Sequence, residues 1–202
     1  MDPLAFSAPA ERNKQAIMEE LRTLLPEEGH ALEIACGTGQ HVVWFAAHLP
    51  QWTWQPTDRT ADLFADIMVR IGEARLLNVQ TPQLLNVLAD AWPVGHGRYD
   101  LIYCANMLHI APWACCAGLM RGAARHLAPR GRLVTYGPYL EDKVPTSPGN
   151  LTFDAALRAE NPDWGIRRRE DVQTVARAAG LQLAARHPMP ANNLLLVWEQ
   201  AP

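Results

Sequence analysis

One short stretch of the sequence constrains the fold more than any other. Residues 31–36 form an apolar run of strand length, Gly37 and Gly39 follow as a turn, and residues 39–49 have the pattern of a helix. Glycine lets the backbone adopt left-handed conformations and lie close to a ligand. A strand, a glycine turn and a helix in this order are typical of an open α/β sheet, which binds ligands at the carboxyl ends of its strands.

Along the rest of the chain, short β-like runs alternate with helical patterns, which predicts βαβ units. We therefore predict an α/β fold: a Rossmann-like, doubly wound sheet of seven mainly parallel strands, with one antiparallel strand in the edge region. The predicted strands cover residues 31–36, 53–57, 83–87, 99–105, 132–136, 181–186 and 193–199. The predicted helices cover residues 10–25, 39–49, 60–76, 112–127, 151–160 and 170–179.

The length of 202 residues favours a single domain over residues 1–202. Within it we predict an N-terminal helical cap over residues 1–29 and a loop and helix insertion near the active site over residues 137–168. Turns are predicted at residues 95–97 and 129–131, and Gly137-Pro138 is predicted to end the fifth strand.

Composition narrows the range of partners. The net charge is −3, and the largest basic cluster is Arg167-Arg168-Arg169, which we interpret as a solvated helix start, so no nucleic-acid partner is expected. No apolar run approaches the roughly 20 residues of a membrane span, and residues 1–6 lack a signal-peptide pattern, so we expect no membrane association and a cytoplasmic location. The four cysteines form no CxxC pair, which favours reduced thiols without a metal site. We expect a monomer or a homodimer.

Two carboxylates flank the glycine turn. Glu33 lies inside an apolar strand, where a carboxylate is costly to bury without a partner. That partner is a ligand ammonium, a loop amide network beside it, or the guanidinium of a nearby arginine such as Arg12. Asp58 ends the second predicted strand, where it can accept from ribose hydroxyls or cap a helix that begins at Ala61. Val42 stands where a dinucleotide site needs a small residue, which disfavours a nicotinamide site.

On the basis of these residues, the chain resembles class I S-adenosylmethionine-dependent methyltransferases over essentially its whole length. More narrowly, it is similar to a poorly characterised methyltransferase-like family that is catalogued as a domain of unknown function. The motifs that carry this similarity are Ala10-Glu11-Arg12-Asn13-Lys14, Gly37-Thr38-Gly39-Gln40-His41, Trp54-Gln55-Pro56-Thr57-Asp58, Ala105-Asn106-Met107-Leu108-His109-Ile110-Ala111-Pro112-Trp113, Tyr136-Gly137-Pro138 and Pro190-Ala191-Asn192-Asn193.

The resemblance implies S-adenosylmethionine as the cofactor and assigns residues to it. It places Glu33, Gly37, Thr38 and Gly39 in the cofactor loop and Asp58 at the ribose. Asn86 stands where the superfamily often has an acidic residue at the adenine edge, and Asp90 is a competing candidate. Ala35 stands where the superfamily often has its first glycine. Asn106 and Arg12 complete the expected cofactor residues, although Arg12 has an acidic substrate group as an alternative ligand.

Catalytic and substrate residues are expected at the same rim of the sheet as the cofactor residues, where the parallel strands have their carboxyl ends. His109 follows the fourth strand and is the best candidate for a general base, against the alternative of a structural histidine. Tyr136 at the end of strand five is the second catalytic candidate. The residues expected to contact the substrate are Asn13, Met107, Tyr139, Phe153, Trp164 and Asn192.

Three functions are compatible with these residues. The first is methyl transfer from S-adenosylmethionine to a small molecule that the sequence does not identify. The second is a non-catalytic, cofactor-binding adaptor, because a fold does not fix a function. The third is a nicotinamide-dependent oxidoreductase, which Val42 and Glu33 disfavour.

Overall fold

The structure, a computed structural model, describes residues 3–94 and 98–202, so the turn predicted at residues 95–97 lies outside the described residues. The helices are α1 (Ala8–Leu24), α2 (Gln40–His48), α3 (Phe64–Glu73), α4 (Ala114–His126), α5 (Pro148–Glu160) and α6 (Arg169–Ala178). The strands are β1 (Gly29–Ile34), β2 (Trp52–Asp58), β3 (Gln83–Leu84), β4 (Tyr99–Ala105), β5 (Leu127–Leu140), β6 (Arg167–Arg168), β7 (Leu181–Met189) and β8 (Asn193–Gln200). A 3₁₀ turn, Pro190–Asn192, joins the last two strands.

The sheet order confirms the predicted doubly wound fold. Seven strands follow the order β3-β2-β1-β4-β5-β8-β7, and the short β6 pairs with β5. Strands β1 to β5 run parallel, whereas β8 runs antiparallel to both β5 and β7. The order reverses between β1 and β4, and such a switch point is where open α/β sheets bind ligands, at the carboxyl ends of the strands.

Side chains alternate between the two faces of the sheet, and helices cover both. On one face, Leu101, Tyr103, Val134 and Tyr136 belong to a buried cluster that also contains residues of α1 and α2. On the other face, a buried cluster joins β4 and β5 to α4 and α6, with Ile102, Cys104, Leu119, Leu133 and Val172 among its members. All four cysteines are buried free thiols. In the described ranges, no helix combines the length and the apolar character that crossing a membrane requires.

The first helix begins where the sequence supplies a cap. The hydroxyl of Ser7 accepts from the amide of Ala10 at 3.3 Å, and Pro9 lies in the first turn. Such a cap satisfies an amide that the helix itself cannot pair. The buried residues of α1 are Ile17, Met18 and Leu21, so its apolar side packs on the sheet. Its first turn is thereby fixed near the carboxyl end of the sheet.

Several predicted boundaries were wrong. Strand β5 begins at Leu127, because residues 129–131 do not form the predicted separating turn. They form an irregularity in the pairing of β5 with β4, where Arg130 has a φ of +69°. Gly137-Pro138 does not end β5, because Gly137 pairs with Leu194 and Pro138 with Asn193 on the antiparallel β8. The loop that opens the predicted insertion over residues 137–168 is correspondingly shorter, because β5 continues to Leu140 and α5 begins at Pro148. Strand β3 ends at Leu84, since Leu85 and Val87 turn into the core.

Candidate active site

Three left-handed residues at alternate positions shape the turn after β1. Ala35, Gly37 and Gly39 have φ angles of +56°, +53° and +73°. Ala35 thus holds the conformation that glycine adopts more readily. A Cβ atom at Gly37 would have no heavy atom within 4 Å, whereas one at Gly39 would lie 2.8 Å from Ile67. Gly39 is therefore required by packing, while the backbone at Gly37 borders open space that a ligand can occupy.

Asp58 fixes this turn from the neighbouring strand. Its Oδ2 accepts from the amide of Gly37 at 2.9 Å, and its Oδ1 accepts from the amide of Arg59 at 2.7 Å. The alternative that Asp58 caps a helix beginning at Ala61 was wrong, because α3 begins at Phe64 with Leu63 before it. An ionised carboxylate has about four acceptor positions, so Asp58 can hold the turn and still accept from a ligand.

Glu33 is a buried carboxylate without a complete set of partners. Only 2% of its surface is exposed, and its Oε2 has no hydrogen-bond partner. Among the described residues no ion pair joins it to Arg12, so the Arg12 alternative for Glu33 was wrong. Burial, and secondarily the charge of Asp58, raise the pKa of Glu33 well above its usual range. A cationic group beside Glu33 would reverse that shift.

The loop after β4 brings Asn106 and His109 to the end of β5. The amide of Asn106 donates to the carbonyl of Tyr136 at 2.8 Å. A Cβ atom at Gly137 would lie 3.4 Å from His109 Nδ1 and 3.7 Å from Asn106 Oδ1. The ring of His109 meets that of Phe153 edge-on, with centroids 5.5 Å apart. Met107 is partly buried against the core on the α4 side of the sheet.

The electrostatic setting of His109 keeps it neutral. Burial, and secondarily the charge of Arg167, lower the pKa of His109 to about 4. Arg167 also holds the loop itself, donating to the carbonyls of Leu108 at 2.9 Å and Ala111 at 2.7 Å. The interpretation of Arg167 as part of a solvated helix start was therefore wrong. The amide of Gly165 donates to the carbonyl of His109 at 3.0 Å, which places the partly buried Trp164 next to this loop.

A second polar group lies on the α1 side of the same rim. The side chain of Tyr136 is buried. Burial raises the pKa of its hydroxyl, and the neighbouring side chains of Asn13 and Arg12 oppose that rise. Asn13 Oδ1 lies 2.6 Å from His41 Nε2, and His41 Nδ1 lies 3.2 Å from the hydroxyl of Tyr103. The structure thus brings Asn13, His41 and Tyr103 into contact. Asn13 and Arg12 are near enough to Tyr136 to oppose the rise in the pKa of its hydroxyl, and the sequence analysis had assigned these three residues to three different roles.

Gln40 joins the glycine turn to the N-terminal segment. Its Oε1 accepts from the amide of Ser7 at 2.6 Å and the hydroxyl of Thr38 at 3.0 Å, and its Nε2 donates to Glu11 at 3.0 Å. Sequence reasoning missed Gln40, His41 and Tyr103 as site residues. Their signal was present, because Gln40 and His41 open a helix whose neighbours are apolar, and Tyr103 is a polar residue inside a buried strand.

Other predicted site residues lie apart from this group. Tyr139 faces the core on the α4 side, where its hydroxyl donates to Thr135 at 2.9 Å. Asn192 is exposed and accepts from the amide of Ser147 at 3.1 Å. Asn86 is exposed, and its side chain accepts from the amide of Leu88 at 3.0 Å. The amide of the preceding residue, Leu85, donates to the carbonyl of Asp58, so Asn86 lies close to the end of β2. Asp90 is exposed four residues further on. No metal-binding group of three His, Cys, Asp or Glu side chains occurs in the part of the chain that the structure describes.

Several solved structures with the same architecture are described as methyltransferases. An O-methyltransferase family protein from Burkholderia thailandensis matches with a TM-score of 0.77 and 18% identity over 95% of this chain and 57% of that one. The apo form of the S-adenosylmethionine-dependent methyltransferase SibL matches with a TM-score of 0.79 and 20% identity over 96% of this chain and 56% of that one. CalO1, a methyltransferase in calicheamicin biosynthesis solved in its SAH-bound form, matches with a TM-score of 0.73 and 14% identity over 96% of this chain and 61% of that one.

The chain therefore has the fold of the class I S-adenosylmethionine-dependent methyltransferases, although it spans less than two thirds of the length of these three structures. A family model matches residues 4–200, and its description is "Protein of unknown function (DUF938)". The chain belongs to that family.

Proposed function

We propose that this protein is an S-adenosylmethionine-dependent methyltransferase that acts on a small molecule. The observation that carries the proposal is the unpartnered Oε2 of Glu33, which is buried beside a glycine turn at the switch point of the sheet. A buried polar atom without a partner costs about 1–3 kcal/mol. Such a cost is expected where a ligand supplies the partner.

The residues around the turn fit an adenosyl amino acid. Glu33 would face the ammonium group, the backbone of Gly37, Thr38 and Gly39 would border the ligand, and Asp58 would accept from the ribose hydroxyls. Asn86, at the end of β2, would contact the adenine edge with its free amide, and the exposed Asp90 remains the alternative. Asn106, between the glycine turn and β5, would complete the site. When bound, S-adenosylmethionine supplies an activated methyl group on a sulfonium.

The acceptor would lie beyond Asn106, against the loop that contains His109. The neutral His109 can take the proton of an O, N or S nucleophile, because its pKa of about 4 leaves it unprotonated at neutral pH. Met107, Phe153 and Trp164 supply apolar surface around that loop. An enzyme of this kind has to align the nucleophile with the methyl group. A neighbour of this fold that acts in calicheamicin biosynthesis supports a small-molecule acceptor.

Titration calorimetry with S-adenosylmethionine tests the proposal, with Gly37→Ala as the informative variant. A Cβ at position 37 meets no protein atom within 4 Å, so the new methyl group would occupy ligand space and weaken binding. Gly180→Ala is the matched control. Gly180 has a φ of +83°, a Cβ there also meets nothing within 4 Å, and it precedes β7 at the opposite edge of the sheet.

We expect both variants to lose similar stability, since both place alanine at a positive φ, and only Gly37→Ala to lose affinity. Absence of binding to the unmodified protein at millimolar S-adenosylmethionine would reject the proposal. Binding without methyl transfer to any tested acceptor would favour the adaptor. Fluorescence enhancement of reduced nicotinamide on mixing would favour the oxidoreductase, although Val42 is fully buried against the sheet, where a dinucleotide site needs a smaller residue.

A further inference from the structure

The loop that follows β4 carries His109 on backbone that Arg167 holds from strand β6. The Nε of Arg167 donates to the carbonyl of Leu108 at 2.9 Å, and its Nη2 donates to the carbonyl of Ala111 at 2.7 Å. These two carbonyls lie on either side of His109 in the chain. The guanidinium carbon also lies over the ring of Trp113, 5.6 Å from its centroid. One side chain therefore contacts the loop at three points around the candidate base.

Arg167 is connected in turn to α5, the helix that carries Phe153. The amide of Ile166, the residue before Arg167, donates to the carboxylate of Asp154 at 2.6 Å. Asp154 directly follows Phe153, whose ring meets that of His109 edge-on with centroids 5.5 Å apart. Strand β6 also pairs with the end of β5. The groups that approach His109 from β6 and from α5 thus belong to one connected unit that is anchored on the sheet.

The ring of His109 depends on this unit for its direction. Within the described part of the chain, no hydrogen bond to a protein group orients the ring of His109, in contrast to the ring of His41, which is bonded at both nitrogens. A histidine that acts as a base is commonly oriented by the hydrogen bond of its second nitrogen. For His109, the backbone on which it lies and the contact with Phe153 take the place of that bond.

We propose that Arg167 is a positioning residue, which orients the imidazole of His109 toward the methyl acceptor by holding the backbone on both sides of it. A guanidinium suits this role, because its planar fork presents separate N–H groups to separate carbonyls, whereas a lysine ammonium is a compact point charge. Precise placement of a catalytic group matters, since a displacement of about 1 Å can cost about 100-fold in rate. The inference rests on the proposed function, in which His109 takes the proton of the acceptor.

Proton NMR of the cofactor-free protein at neutral pH tests this role without knowledge of the acceptor. The imidazole protons of His109 lie against the ring of Phe153, so their resonances carry a ring-current shift, and His109→Asn identifies them by their loss. Phe153→Leu removes the aromatic ring and gives the resonance positions without that shift. Arg167→Lys keeps the positive charge but loses the fork that reaches both carbonyls. We expect Arg167→Lys to move the His109 resonances toward their positions in Phe153→Leu.

Arg168→Met is the matched control, because Arg168 is the next residue of β6 and its half-exposed side chain bonds to Asp142. It should leave the His109 resonances unchanged. A purely structural role for Arg167 would lower the unfolding free energy without moving these resonances in the folded protein. The amide of Gly165, which donates to the carbonyl of His109 at 3.0 Å, gives a second measurement. Its hydrogen exchange should become about ten-fold faster or more in Arg167→Lys and stay the same in Arg168→Met.

If Arg167→Lys folds poorly, Arg167→Gln replaces it, because glutamine retains a donor for one carbonyl only, and the same change of the His109 resonances is expected. His109 resonances that stay in place in the folded variant would overturn the inference and leave the proposed function standing. Calorimetry with S-adenosylmethionine separates the two. If the unmodified protein does not bind S-adenosylmethionine, the proposed function fails, whereas the spectra still decide whether Arg167 orients His109.

Discussion

Glu33→Gln is expected to make the free protein more stable and the cofactor complex weaker. Glutamine has nearly the same shape as glutamate but no charge to desolvate. Glu33 is 2% exposed with one oxygen unpartnered, and burial raises its pKa well above its usual range. The native state of the unmodified protein therefore keeps a proton on Glu33 that the unfolded chain releases above pH 4.5.

The sign of the pH dependence follows from that proton. Each pH unit above 4.5, up to the folded-state pKa, costs the unmodified protein about 1.4 kcal/mol relative to Glu33→Gln. Because the pKa of Glu33 is raised well above its usual range, we expect the variant to be more stable than the unmodified protein at pH 7.5. Below pH 4.5 the glutamate becomes protonated in the unfolded state as well, so the difference in stability should shrink toward zero.

Urea unfolding at pH 5, 6, 7 and 8, followed by tryptophan fluorescence, measures this difference. Glu20→Gln is the matched control, because Glu20 is partnered by His187 at 2.8 Å and should gain nothing. In calorimetry, Glu33→Gln should lower the affinity for S-adenosylmethionine about ten- to hundred-fold, because the variant loses a charge-assisted hydrogen bond to the cofactor. A variant that is no more stable at pH 8 than the unmodified protein would refute the account of Glu33 as a destabilised carboxylate. Unchanged cofactor affinity would refute its role as a ligand.

Two further predictions concern His109 and Ala35. The pKa of His109 is lowered to about 4, so kcat/KM should be flat from pH 8 to pH 5 and fall only as the pH approaches 4; a fall centred near pH 6.5 would contradict this. His109→Asn should lower kcat about 100-fold or more, and an unaltered kcat would exclude His109 as the base. Ala35 has a φ of +56°, so Ala35→Gly should raise the unfolding free energy by about 0.5–1 kcal/mol. Chemical denaturation measures that change, and a loss of stability would mean that the Ala35 side chain contributes more than its conformation costs.

The order and type of the main elements could be predicted because the apolar pattern changes period between strands and helices. Strand β4 was placed correctly at residues 99–105, where most residues are buried. The ends of β5 could not be predicted in this way. Gly137 and Pro138 normally interrupt a strand, and their place in the ladder depends on β8, which is more than 50 residues away along the chain.

The same distinction between local pattern and distant contacts applies to the candidate site. Gly37, Asp58 and Glu33 could be predicted because they lie in one continuous motif and at the end of the next strand. The grouping of Asn13 with His41 and Tyr136 depends on how α1 crosses the sheet, which no local pattern specifies. Tyr139 was expected near Tyr136, but three positions along a strand bring a side chain to the opposite face, which is the α4 side of the core.

The side chain of Gln40 couples two segments that are distant in sequence. A single amide group bonds both to Thr38 in the glycine turn and to Ser7 and Glu11 in the N-terminal segment, while the amide of Ala5 donates to Asp66 on α3 at 2.7 Å. We therefore expect a shift of the turn to affect the backbone amide of Ser7, about 30 residues earlier in the chain. Deuterium uptake at Ser7 should then serve as a readout of ligand occupancy that requires no knowledge of the acceptor.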